Sequence, residues 1–285
     1  MKNALPFIIF LLGSLYGNAL PKDDLKILSY NVKMLPRFIK REKHFPIKRA
    51  HIIPAYLLEE NADVIVLQEA FDMKAYRIFK KRLKEKYPYV IGPLNKKPGF
   101  KINGGIVIYS KYPMKKLGEI QYSVCESFDC WARKGTLLVE VDNGQHIFQI
   151  AGTHLNGGGS IEFKTTEFRE MGTLVKQHAR EGVPQFCVGD YNIAQAETAY
   201  YESMLKQLDA EDGPITGHAC CTNDHLNNDM ERFSYERNTI DYILYRANGI
   251  PLKETKRYIQ QYCYQWCKEH EDLSDHYALV MELKW

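Results

Sequence analysis

Apolar and polar residues alternate over 25–32 (LKILSYNV), the period-two pattern of a strand with one covered face, and this strand carries Asn31 to its end. Residues 63–68 (DVIVLQ) are instead a continuous apolar run, as expected of a strand covered on both faces, and Glu69 follows at once. Segments 104–110, 135–141, 147–154, 185–190, 239–245 and 277–283 read as further strands. Asp142-Asn143-Gly144 predicts a hairpin turn between 135–141 and 147–154. Helical spacing runs over 74–87, 161–181 and 200–208, and over 46–61, where Pro54 predicts a break or kink. Connections in the second half are too short for a fully parallel sheet. The pattern therefore predicts two mixed, mostly antiparallel sheets packed face to face, with helices outside.

Polar chemistry collects where these strands begin or end. In QFCVGDYN (185–192) an apolar strand runs into Gly189, expected to turn tightly, and Asp190 and Asn192 follow two residues apart. A glycine and an acid after a strand also make an ordinary turn. Other strands end in the same way: Asn31, Glu69 and His154 close theirs, Asp241 lies in the 239–245 segment, and Asp275 and His276 precede the last one. A carboxylate at the end of a buried strand needs a partner, either a cation such as a metal or an Arg or Lys. Acids, histidines and amides in this mixture suit phosphoryl-ester hydrolysis. A hard divalent cation on carboxylate oxygens polarises the phosphoryl group, and one histidine takes the proton of attacking water while the other serves the phosphate. A serine nucleophile is disfavoured because no Gly-x-Ser-x-Gly elbow occurs.

Composition changes the picture in three places. The 285 residues are 45% hydrophobic and 26% charged, enough for a large core, and one domain over 20–285 is expected. A net charge of +3 does not call for a nucleic-acid partner, and the basic stretch 37–49 reads as a solvated helix entry. Residues 1–19 have the form of a cleaved signal peptide ending at Ala19, which predicts secretion. In an oxidising compartment the seven cysteines allow local bridges Cys125–Cys130 and Cys263–Cys267, with the adjacent Cys220 and Cys221 able to compete. Cys187 reads as a buried free thiol, and no zinc-type cysteine spacing is present.

SYN at 29–31, LQE at 67–69, GTHLN at 152–156, GDYN at 189–192, IDYIL at 240–244 and SDH at 274–276 together resemble the endonuclease/exonuclease/phosphatase superfamily. The resemblance implies a four-layer α/β sandwich of the DNase I-like kind. It implies Glu69 as the main Mg²⁺ ligand assisted by Asn31, with Asp275 on the metal side. It further implies His276 as general base oriented by Asp241, Asp190 and Asn192 positioning water and phosphate, and His154 on the phosphate and leaving group. SYNVKML at 29–35, LQEAFD at 67–72, GGIVIYSKYPM at 104–114, Lys134-Gly135 after a cysteine and Thr216-Gly217-His218 are similar to the secreted bacterial neutral sphingomyelinases. That branch implies cleavage of sphingomyelin to ceramide and phosphocholine at a membrane surface. It also implies a hairpin whose aromatic side chains dip into lipid, here the cluster Tyr258, Tyr262, Tyr264 and Trp266, with Tyr264 and Trp266 as the membrane contacts. The chain departs from the branch in Asn156-Gly157-Gly158-Gly159 and in Cys220-Cys221. A nuclease or phosphoinositide phosphatase using the same site, and a catalytically dead membrane-binding module, are the competing expectations.

Overall fold

Alternation decides which side of each strand meets which core. The computed structural model describes residues 24–37, 45–230, 234–250 and 254–285, so the expected signal peptide lies outside the described residues. The first half runs β1 (Asp24–Asn31), α1 (Pro46–Ala50), α2 (Ile53–Glu60), β2 (Val64–Gln68), α3 (Met73–Leu83), β3 (Tyr89–Ile91) and β4 (Val107–Ser110). Then come β5 (Met114–Gln121), β6 (Gly135–Asp142), β7 (Ile147–His154), α4 (Ile161–Gln177), β8 (Gln185–Asp190) and α5 (Thr198–Leu208). The chain closes with β9 (Asn223–Asp224), β10 (Arg237–Asn238), β11 (Asp241–Arg246), β12 (Glu254–Gln260) and β13 (Ala278–Lys284).

One sheet has the order β12-β13-β1-β2-β4-β3, the other β11-β8-β7-β6-β5, and β9 and β10 form a small separate ladder. The β1–β2 and β7–β8 pairs are parallel and the rest antiparallel. Ile27, Val66, Ile150, Val188 and Ile243 point into the core between the sheets. Leu28, Ile65 and Tyr109 face the other way, onto Ile53 and Leu57 of α2 and Phe79 of α3. Leu138, Ala151, Cys187 and Leu244 leave the second sheet toward Phe168 and Met171 of α4 and Met204 of α5. The result is helices, sheet, sheet, helices: the expected four-layer sandwich.

Several local expectations need correction. The helix over 46–61 breaks at His51-Ile52, ahead of Pro54, which sits in the first turn of α2 where its missing N–H costs nothing. Gly189 is no turn: it lies inside β8, and a Cβ there would stand 2.0 Å from the Thr153 carbonyl of β7. β5 and β12 were not predicted. β5 is interrupted by an irregularity between Lys116 and Gly118, which breaks the period-two pattern. β12 is the edge strand that occupies the start of the expected aromatic hairpin.

The membrane-contact reading of Trp266 fails. Trp266 is 1% exposed, its indole Nε1 donates to the Asp272 carbonyl at 2.7 Å, and the Arg49 guanidinium lies 5.9 Å from its ring centre. Tyr262 is also buried, edge-on to Tyr30, while Tyr264 remains exposed. Cys125 and Cys130 are bridged, but Cys263 and Cys267 are free thiols and Cys220 pairs with Cys221. The basic stretch 37–49 is not simply a solvated face. Residues 38–44 lie outside the described residues, Arg37 binds Asp72 at 2.9 Å, and Arg49 is fully buried.

Candidate active site

The strand parities that fill the inter-sheet core also aim the polar residues. Two residues beyond Ser29 on β1, Gly152 on β7 and Val188 on β8, the same inward face delivers Asn31, His154 and Asp190. Register brings them together: His154 pairs with Asp190 across the parallel β7–β8 ladder, and Asp241 pairs with Asp190 across β11–β8. β13 runs antiparallel to β1, so the Ser274-Asp275-His276 segment that precedes it arrives beside Asn31. There the Ser274 hydroxyl donates to the Asn31 carbonyl at 2.7 Å. Glu69 breaks parity with φ 53, a left-handed backbone uncommon outside glycine, and this turns its carboxylate toward the site.

Asn31 is the hinge of the constellation. Its amide donates to Asp190 Oδ2 at 2.9 Å and to Glu69 Oε1 at 3.2 Å, so it joins the acids of the two sheets. His276 Nδ1 lies 2.9 Å from Asp241 Oδ2, and its Nε2 lies 3.8 Å from Asp190 Oδ2. His154 Nε2 lies 3.5 Å from Asp190 Oδ2 on the other side. Asp275 pairs with the Lys33 ammonium and also accepts from Ser274 at 3.2 Å. Asn192, in left-handed backbone at φ 51, turns away from a fully extended course. Its N–H donates to Asp190 Oδ1 at 2.9 Å and its side-chain amide to the Leu155 carbonyl at 3.0 Å.

Burial sets the electrostatics. It opposes the charged form of His276, but the Asp241 and Asp190 carboxylates outweigh it and hold the imidazole pKa well above the ordinary 6.5. For His154 burial and the Lys134 and His276 charges all act together, and its pKa falls well below 6.5. The two histidines are thus driven apart, one strongly basic and one neutral. Burial and the Asp241 charge raise the Asp190 carboxyl. Burial and Asp275 raise Glu69, partly offset by Lys33 and Lys134.

Lys33 and Lys134 are site residues whose individual importance the sequence reading missed. Lys134 is buried, with its ammonium 3.1 Å from His154 Nε2, 2.9 Å from the Leu155 carbonyl and 2.8 Å from Asp129. Its place follows from the β6–β7 register, which no local motif encodes. The glycine-rich 156–159 loop is pinned as well. The Asn156 N–H donates to buried Glu167 at 3.1 Å, and the Gly157 N–H to Asp129 at 2.7 Å. His218 lines a different cavity, with Asp224 and Asp229.

Glu69, Lys134 and His154 form the polar floor of a cavity of about 500 Å³ with walls that include Phe71, Ile102 and Ala132. Glu69 receives its hydrogen bond from Asn31 and faces this cavity, so an oxygen-rich edge is presented to any ligand there. Such a donor set fits a hard divalent cation. Asp190, Asp241 and His276 also place ligand atoms within 4.8 Å of one another, although the His276–Asp241 hydrogen bond already engages two of them.

Comparison with known proteins agrees with this geometry. The model of the Endonuclease/Exonuclease/phosphatase family matches residues 28–276. The chain is 27% identical over 300 residues to Sphingomyelinase C 2 of Leptospira interrogans, covering 92% of this chain and 48% of that protein, so it spans about half of that relative's length. It is 25% identical over 317 residues to Phospholipase C of Staphylococcus aureus, covering 95% of this chain and 92% of that one. Beta toxin from Staphylococcus aureus, in a structure with bound magnesium ions, superposes with a TM-score of 0.81 at 24% identity, covering 90% of this chain and 99% of the other.

Proposed function

The chain belongs to the endonuclease/exonuclease/phosphatase family, and we propose that it is a secreted, Mg²⁺-dependent phosphodiesterase that hydrolyses sphingomyelin to ceramide and phosphocholine. The observation that carries this reading is the cavity. A floor of acid, ammonium and imidazole lies beneath walls of phenylalanine and isoleucine, which matches a phosphodiester attached to an apolar body better than a nucleic-acid strand. The names of the Leptospira and Staphylococcus relatives point the same way. The Cys125–Cys130 disulfide supports an oxidising compartment, and no described helix is long and apolar enough to cross a membrane.

Glu69, with Asn31 beside it, would hold Mg²⁺, and Asp275 would stand on the same side with its charge shared by Lys33. When bound, the ion supplies Lewis-acid polarisation of the phosphoryl oxygen and stabilises the departing alkoxide. The neutral form of His276, whose share grows as pH rises toward its raised pKa, takes the proton of the attacking water at Nε2, while Asp241 on Nδ1 fixes the ring and favours the imidazolium that results. Asp190 sits between Nε2 of both histidines and orients the water. Neutral His154 accepts from Lys134, whose ammonium also donates to the Leu155 carbonyl and Asp129, so Lys134 places a fixed positive charge in the cavity floor that favours a phosphate above it. Asn192 holds Asp190 and the Leu155 carbonyl in place.

The test uses a soluble choline phosphodiester beside a nucleotide phosphodiester. Wild-type turnover of the choline ester is expected to require Mg²⁺ and to stop in EDTA. His276→Gln is expected to lower kcat by about 10²–10⁴-fold, the usual range for a general base. Turnover within tenfold of wild type would remove His276 from that role, and preference for the nucleotide ester would redirect the substrate assignment.

A further inference from the structure

Three aromatic side chains at the cavity mouth have no role in the core or in the chemistry. Phe100 is 106% exposed, Phe128 83% and Trp131 66%, and all three border the cavity floored by Glu69, Lys134 and His154. Exposed aromatic side chains gathered around one cavity mouth mark a contact site.

The loops that carry these rings are braced. Arg133 Nη1 donates to the carbonyls of Lys97 and Lys101 at 3.0 Å each, and Nη2 to that of Pro98 at 3.2 Å, which clamps the Phe100 loop from below. The Cys125–Cys130 disulfide closes the second loop, and Phe128 and Trp131 lie on its 3₁₀ turn (Ser127–Trp131). The loops are stitched together where the Ile102 N–H donates to the Trp131 carbonyl at 2.9 Å and the Arg133 N–H to the Ile102 carbonyl at 3.2 Å. Between the outward rings, Asp129 turns inward to Lys134 and the Gly157 N–H. Rings held out in this way lose little freedom when something covers them. Lys96, Lys97 and Lys101 are exposed on the same loop.

We propose that Phe100, Phe128 and Trp131 form a membrane-docking surface that enters the interfacial zone of a phospholipid bilayer, with Lys96, Lys97 and Lys101 against the lipid phosphates. The surface seats the cavity mouth over the lipid whose phosphodiester the site takes, and to that extent it rests on the phosphodiesterase reading. A bilayer fits better than a protein partner because an apolar tip is bordered by ammonium groups, which matches acyl chains beneath a layer of phosphates. The docking face therefore lies on the 96–101 and 125–131 loops, and not on the 258–266 segment, whose Trp266 is core.

The chain has three tryptophans, and Trp266 and Trp285 are 1% and 6% exposed, so Trp131 is the one whose emission can respond to an interface. The experiment adds vesicles of phosphatidylcholine and sphingomyelin, with and without brominated acyl chains, to the full protein in EDTA, and follows tryptophan emission and co-sedimentation. A blue shift, quenching by brominated lipid, and at least a tenfold loss of vesicle affinity in the triple variant Phe100→Ser, Phe128→Ser, Trp131→Tyr are expected. Vesicle binding with unchanged Trp131 emission, no vesicle binding at all, or triple-variant affinity within twofold of wild type would overturn the proposal. Because binding is read without turnover, it is separable from the function itself. Wild-type turnover of the soluble ester without vesicle binding defeats only the docking surface, and vesicle binding without turnover of any phosphodiester defeats only the reaction.

Discussion

Arg49→Met tests whether the site is held by a buried cation that touches no substrate. The Arg49 guanidinium donates to the Val32 carbonyl at 2.8 Å, to Leu273 at 2.8 Å and to Lys33 at 2.6 Å. These carbonyls flank Asn31 on one side and Ser274-Asp275-His276 on the other, so one side chain joins the segments that carry the proposed metal ligand and base. Each lost hydrogen bond to a charged group costs about 1.5–3 kcal/mol, or roughly 5–9 kcal/mol for three. Against this, burial lowers the Arg49 pKa from 12.5 to about 10, and removing so strained a cation returns about 3 kcal/mol at roughly 1.36 kcal/mol per pKa unit. The net loss is about 2–6 kcal/mol, a range that includes the roughly 3–5 kcal/mol found when a buried charged contact is broken from one side. At roughly 2 °C per kcal/mol for a chain of this size, Tm falls by about 4–12 °C. Arg49→Lys should fall between, since an ammonium cannot span three carbonyls in a fork. Calorimetry with urea unfolding gives both numbers, and turnover of a soluble phosphodiester well below Tm reports the site. A Met variant within 1 °C of wild type and equally active would refute the bracing role, given that scale of about 2 °C per kcal/mol.

Three further substitutions test the packing around the site. Burial pushes the Glu167 carboxyl from 4.5 up to about 7, against the pull of Lys164. An acid with a higher pKa folded than unfolded binds more protons in the native state, so stability falls as pH rises through that window. The fall is about 3 kcal/mol at roughly 1.36 kcal/mol per pKa unit; urea unfolding from pH 4.5 to 7 should show it in wild type and lose it in Glu167→Gln, and parallel profiles would contradict the assignment. Trp266→Ala should cost about 3–5 kcal/mol by cavity formation, whereas Tyr264→Ala should stay within about 0.5 kcal/mol; equal melting shifts would mean that Trp266 is not core.

How far the sequence could be read depended on whether a feature was local. Asn31, His154, Asp190 and Asp241 were legible because each ends or begins an apolar strand and the inward parity of the core continues into them, while Glu69 and His276 were legible from their place beside a strand end although they lie off that parity. Arg49 was misread as surface because the charge run around it looks like a solvated helix, and its carbonyl partners lie as far away as Leu273. Trp266 was misread for the same reason, since an aromatic cluster beside cysteines carries no sign of Arg49 or Asp272 packing against it. Lys134 acquires its role only through the β6–β7 ladder. The cysteine spacing allowed both local bridges equally, and only at Cys125 and Cys130 does the backbone bring the Cα atoms to 5.1 Å in a closed bridge.

Phosphocholine release from sphingomyelin vesicles with Mg²⁺, measured beside phosphatidylcholine vesicles, plasmid DNA and a soluble phosphoinositide, each with and without EDTA, decides the substrate and the metal dependence together. EDTA-sensitive release from sphingomyelin well above the other three is expected. Metal-dependent cleavage of DNA or the phosphoinositide without release from sphingomyelin would keep the site and contradict the substrate, and silence on all four would contradict the enzyme.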